Sequence, residues 1–236
     1  MTEKVEGATV REFAKHISKA DDLAVSRATM GENSKLLSED RRPTAQAYTE
    51  LQEAYDHFNT ALFGGTLPPC LITFQRRGAN VFGYYYRARF GSNHEPGATT
   101  DEIAMNPIHF KGRDVTGVLQ TLVHEMCHLW QWDFGKPSRS GYHNHEWAAK
   151  MIAIGLHPSS TGKPGGAIVG QHMLDYVVGG GQFGRAVEDL ARARFSITWY
   201  DRIADLIRTL QDGLSPTPRH VRNRNKYSCR GCGLNA

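Results

Sequence analysis

Residues 115–134, VTGVLQTLVHEMCHLWQWDF, restrict what this chain can fold into more than any other stretch. Val118, Leu119, Leu122, Met126 and Leu129 recur at the spacing of a helix with one buried side. Gly135-Lys136-Pro137 stops that helix. On it, His124 and His128 stand one turn apart and present two imidazoles to one point. Glu125 is rotated about 100° from His124, close enough for its carboxylate to reach a water held there. Two imidazole ligands and an adjacent general base form the chemistry of the HExxH pattern. Zinc suits imidazole and leaves an open fourth position for water.

Such a site needs three protein ligands, so a further segment must supply one. His143, His145, Glu146 and His157 follow within reach. If 143–154 is helical, His143, Glu146 and Trp147 share a face, while His145 points nearly opposite to His143. Both cannot serve one ion. His143 stands at the loop-to-helix junction, and His157 follows the helix end, placed for the surface or a cap. Spacing alone leaves His143 and His145 open.

The chain has 236 residues, enough for one large domain with appendages. Its 40% hydrophobic content, with ten Phe, nine Tyr and four Trp, excludes a disordered class. A net charge of +4 is too small by itself to indicate nucleic acid. MTEKVEGATVREFAKH lacks the apolar core of a secretory signal, and no apolar run reaches the roughly 18 residues of a membrane helix. Cys70 and Cys127 stand alone, and only Cys229 and Cys232 form a local pair, so no disulfide framework is expected. A cytoplasmic protein without membrane association is the expectation.

TAQAYTELQEAYDHFNTALFGG predicts an amphipathic helix through Leu51, Tyr55, Phe58 and Leu62, ended by Gly64-Gly65. CLITFQR, NVFGYYYRARFG and DEIAMNP predict three strands. HEWAAKMIAIGL predicts a helix ended by Gly155. STGKPGGAIVGQHMLDYVVGGGQFG is dense in glycine and reads as loop. FSITWYDR reads as a late strand.

HEMCH, fourteen residues, then HNHEW resemble the active site of the SprT-like zinc metallopeptidases. In that family the third ligand opens an H-x-x-E-[FW] pattern on the next helix. The resemblance therefore implies His143 as the ligand, with Glu146 and Trp147 completing the pattern. LQEAYDHFNTALFGGTLPPCLITF resembles the family's opening helix and first strand, and EIAMNP the strand before its metal helix. KYSCRGCG resembles half of the zinc ribbon that often follows the protease domain. A full ribbon needs two C-x-x-C pairs, and this chain holds Cys229 and Cys232 with His220 as a further donor. No second zinc is assigned.

Other residues have two readings each. Cys127 reads as a small core hydrophobe rather than a redox switch. FGYYYRARF reads as a strand with a core-facing aromatic side, against a base-stacking surface, with Arg87 and Arg89 sharing the other side. Tyr142 stands beside His143, placed either to pack or to donate to an oxyanion. Arg219, His220, Arg222, Arg224 and Lys226 form a basic run suited to a solvated tail or to phosphate contacts.

The expected fold is α+β and zincin-like, a small sheet packed on the HExxH helix. The expected organisation is a polar arm over 1–43, a SprT-like metallopeptidase domain over 44–213, and a basic tail over 214–236. The expected function is a zinc-dependent metalloendopeptidase. Zn2+ would be held by His124, His128 and His143, with Glu125 as general base. By resemblance, its substrates are proteins associated with or crosslinked to DNA, and DNA contact is independent of sequence. Two alternatives use the same residues: a non-catalytic DNA-binding or regulatory protein with structural zinc, and a processing protease for one regulator without DNA.

Overall fold

The computed structural model describes residues 42–205, apart from 79 and 112. The arm before residue 42 and the basic tail with Cys229 and Cys232 lie outside the described residues. The described part is α+β, built from helices around two small sheets.

Helix α1, Pro43–Phe63, opens on a proline whose missing N–H costs nothing in a first turn. It buries Leu51, Ala54, Tyr55, Phe58 and Leu62 along one side. Gly64 ends it in the left-handed region at φ 65°. Strands β1 (Leu71–Phe74), β2 (Gly83–Gly91) and β3 (Thr99–Met105) form one sheet in the order β1-β3-β2. β1 runs parallel to β3 and β2 antiparallel to it, which leaves β2 at an edge. Ile72, Tyr85 and Ile103 are in register across the three strands and pack into the core.

Helix α2, Val115–Phe134, is capped by Asp114, whose Oδ1 accepts the Gly117 N–H at 2.8 Å. Its Val118, Leu119, Leu122, Met126 and Leu129 are all buried between α1, the sheet and helix α3 (His145–Ala153). Fully burying side chains of this size contributes about 1.5–3 kcal/mol each. Asn144 caps α3 by accepting the Trp147 N–H at 3.0 Å. Among the described residues no helix is long and apolar enough to cross a membrane.

The glycine-rich segment departs from the loop expectation. It contributes β5 (Leu174–Val177), which pairs antiparallel with β4 (Leu156–Ser159) just before it, and the first turn of helix α4 (Gln182–Arg192). Gly155 and Gly181 allow backbone to touch backbone: a Cβ on Gly155 would lie 2.8 Å from the Gln182 nitrogen, and one on Gly181 would lie 2.9 Å from the Gly155 Cα. The close approach lets α4 return to α1, where Phe183 stacks on Phe58 at 5.6 Å. The late strand expected in FSITWYDR does not form. That stretch runs along α1 in irregular backbone instead. The Thr198 N–H bonds to the Glu50 carboxylate at 2.8 Å and the Trp199 indole to Gln46 Oε1 at 3.0 Å. Its polar groups find side chains rather than a neighbouring strand, so β propensity is overridden.

Candidate metal centre

Helix α2 carries His124 and His128 side by side, as their spacing requires, with ring centroids 5.2 Å apart. His143 comes from the connection between α2 and α3. It is not on α3: the chain reaches it one residue before the Asn144 cap, so the shared helical face does not place it. A β-bridge does. The His143 N–H donates to the Gly170 carbonyl at 2.8 Å, and the Gly170 N–H returns to the His143 carbonyl at 3.1 Å. His143 Nε2 then stands 3.2 Å from His124 Nε2 and 3.1 Å from His128 Nε2.

Trp147 forms the floor. It is fully buried, and its ring lies 4.8, 5.3 and 4.4 Å from the rings of His124, His128 and His143. Glu146 ties the chain leaving α2 to the start of α3. Its Oε2 accepts the Lys136 N–H at 2.6 Å and the Gln131 amide at 2.8 Å. A Cβ on Gly135 would sit 2.5 Å from that same oxygen, so the helix-ending glycine also makes room for the carboxylate. Glu146 and Trp147 thus act as clamp and floor.

Two further groups hold the ring nitrogens that face away from the cluster. Asp175 Oδ2 lies 2.9 Å from His124 Nδ1, and the Gly170 carbonyl lies 3.2 Å from His143 Nδ1. Sequence reasoning passed over both. Both fall in the stretch that reads as loop, and nothing in LDYV singles out Asp175.

Glu125 is 6% exposed, on the side of α2 covered by β2. Burial pushes its carboxyl up to about 7, with His124 and the Tyr85 backbone N–H pulling the other way. Burial also pushes His128 well below the usual imidazole range, and holds His143 down to about 4, with the neighbouring His124 adding to both. For His124, burial acts downward too, but the Asp175 and Glu125 carboxylates outweigh it and raise its pKa.

The donor set fits a metal ion. Three ligand nitrogens lie within 4.8 Å of one another, close enough to bind one ion. Nitrogens about 2.0–2.1 Å from a tetrahedral zinc stand roughly 3.3 Å apart, near the separations of 3.1 and 3.2 Å seen here. Neutral His128 and His143 keep lone pairs available at neutral pH.

The remaining sequence-selected residues lie apart. His145 is exposed at the first turn of α3. His157 lies on β4, stacked on Tyr176 at 5.0 Å. Cys127 is fully buried in the core. Tyr142 lies under the Arg139 guanidinium at 5.3 Å. Arg87 and Arg89 do not share one side of a regular strand. The register shifts between Tyr86 and Phe90, where Ala88 takes φ 48° and donates its N–H to Asp101. Arg87 then lies over Trp132 at 4.8 Å and Arg89 over Tyr86 at 5.0 Å.

Residues 51–163 match the model of the SprT-like family. A 61-residue stretch is 52% identical to the "Uncharacterized protein in mucB 3'region" of Salmonella typhimurium, covering 26% of this chain and 80% of that protein. No solved structure matches the chain.

Proposed function

We propose that this chain, which belongs to the SprT-like family, is a zinc-dependent metalloendopeptidase with His124, His128 and His143 as ligands and Glu125 as general base. The observation that carries this is the convergence of the three Nε2 atoms from two separate segments, with the buried Glu125 carboxylate next in sequence to one of them. The site lies on a helix under a small mixed sheet, which supports the zincin-like reading.

When bound, zinc supplies Lewis-acid polarisation of a scissile carbonyl and acidifies water. Glu125 takes up the proton of the attacking water and passes it to the leaving amine, a task suited to a group with pKa near the working pH. Burial pushes Glu125 up to about 7, into that range. The edge strand β2 runs over α2, where an extended substrate peptide can add by main-chain hydrogen bonds.

A non-catalytic structural zinc protein is the main competitor. A structural site closes with a fourth protein ligand. Here the ligand group has three members among the described residues, which favours turnover.

The proposed substrates are proteins on DNA, or crosslinked to it. Support comes from family membership and from the basic run Arg219, Arg222, Arg224 and Lys226, whose charges suit sequence-independent phosphate contact. The experiment is elemental analysis of the purified chain, followed by proteolysis of a DNA-binding protein with and without single-stranded and duplex DNA. Absence of bound metal, or no cleavage by the zinc-loaded chain in any arm, overturns the peptidase. Cleavage that ignores DNA points to a dedicated processing protease instead.

A further inference from the structure

We propose that Asp175 is a positioning residue of the metal centre, and that the β4–β5 hairpin carrying it forms the outer half of that centre. The inference rests on the reading of the three histidines as ligands. Residue 175 lies beyond the stretch matched by the family model, which ends at 163.

The first support is the direction of one hydrogen bond. Asp175 accepts from His124 Nδ1 at 2.9 Å, and both side chains are largely buried. With the hydrogen on Nδ1, the His124 lone pair is on Nε2, the atom that faces His143. A carboxylate behind an imidazole fixes tautomer and ring orientation together and raises ligand basicity.

The second support is that the carboxylate is itself fixed. Gln120 lies one turn before His124 on α2. Its amide nitrogen donates to Asp175 Oδ1 at 2.6 Å and to the Asp175 backbone carbonyl at 2.8 Å. Both carboxylate oxygens are therefore engaged, one on the ligand and one on the ligand's own helix.

The third support is that the same segment holds a second histidine. Gly170 bridges the His143 backbone in both directions and sets its carbonyl 3.2 Å from His143 Nδ1. β5 is held in turn by β4, with Pro158 paired to Asp175 and His157 to Tyr176. β4 follows α3, the helix that carries Trp147, after a single turn. Docking of the hairpin on α2 therefore brings the third histidine, the floor and the orienting carboxylate together.

The test uses the full metal-free chain, titrated with Zn2+ against a chromophoric chelator, with the visible spectrum of the Co2+ form as a second readout. Asp175→Ala should weaken zinc binding about 10–100-fold, the usual effect of losing an outer-shell partner. Its Co2+ bands should shift from those of the parent. Asp175→Asn keeps an acceptor for Nδ1–H once the Gln120 amide turns over, so its affinity should fall between Asp175→Ala and the parent. Should Asp175→Ala fail to fold, Gln120→Ala tests the same link: it frees the carboxylate and should weaken zinc binding about fivefold, the scale of one net hydrogen bond. Zinc affinity of Asp175→Ala within twofold of the parent, with unchanged Co2+ bands, overturns the proposal. Asp175→Asn as weak as Asp175→Ala also overturns it, assigning the effect to charge rather than position. A parent that binds no zinc refutes the metal site itself, an outcome distinct from a zinc-binding parent matched by its variants.

Discussion

Glu146→Ala should cost about 2–3 kcal/mol of folding stability and loosen the turn that leads to His143. Glu146 Oε2 accepts two hydrogen bonds, from the Lys136 N–H and from the Gln131 amide. Bonds to a charged acceptor are worth about 1.5–3 kcal/mol each, so the gross loss is roughly 3–6 kcal/mol. Part of it returns. Lys136 is exposed, and water replaces the carboxylate there. Gln131, 3% exposed, keeps its bond to Asn144 Oδ1 at 2.7 Å. Glu146→Gln retains a neutral acceptor and should cost about half as much. The pH dependence has a definite sign. The Lys136 N–H, then the Gln131 amide, hold the Glu146 carboxyl below its usual value of 4.5. A lowered carboxyl stabilises the fold above its unfolded pKa, and that contribution is lost as pH falls through the folded value. The gap between parent and Glu146→Ala should therefore be full at pH 7 and narrow below about pH 4.5. Urea denaturation of chelator-treated protein at pH 7 and pH 3.5 measures both. A cost under about 0.5 kcal/mol at pH 7, or a gap that widens on acidification, would refute the clamp. The turn held by Glu146 begins the path to His143, so zinc affinity should fall in the same variant.

Three further outcomes are expected. Glu125→Gln keeps the side chain's size and loses its basicity, so zinc should stay bound while proteolysis drops about 10²-fold or more; an unchanged turnover number would remove Glu125 from the mechanism. His143→Ala should lose zinc or bind it far more weakly, whereas the exposed His145→Ala should match the parent, and chelator competition showing the reverse would make His145 the ligand. Burial, with the nearby Asp101 adding to it, pushes the Cys70 thiol from 9.0 up to about 12, so near pH 8 it should alkylate roughly 10³-fold more slowly than an ordinary thiol. Peptide mapping that finds Cys70 modified as fast as free cysteine would contradict this.

Much of the architecture was legible because it is periodic. The apolar steps in 51–62 and 118–129 specify α1 and α2 at short range, and the same steps place His124 and His128 on one face. HEWAAKMIAIGL begins at His145, where α3 begins, so the start of that helix was legible too. What lies beyond the helical period was not. His143 is placed by a bridge to Gly170, 27 residues on, and His124 is held by Asp175, 51 residues on. Glycine density argued for loops over 160–184, yet Gly181 there meets Gly155 in the close backbone approach that lets a hairpin and α4 pack. In FSITWYDR, strand propensity yielded to side chains of α1 that met the backbone first. Local spacing determines which way a helical side chain faces. Which distant backbone meets it is decided only when the chain closes on itself, because pairing energies between remote segments leave no period in the sequence.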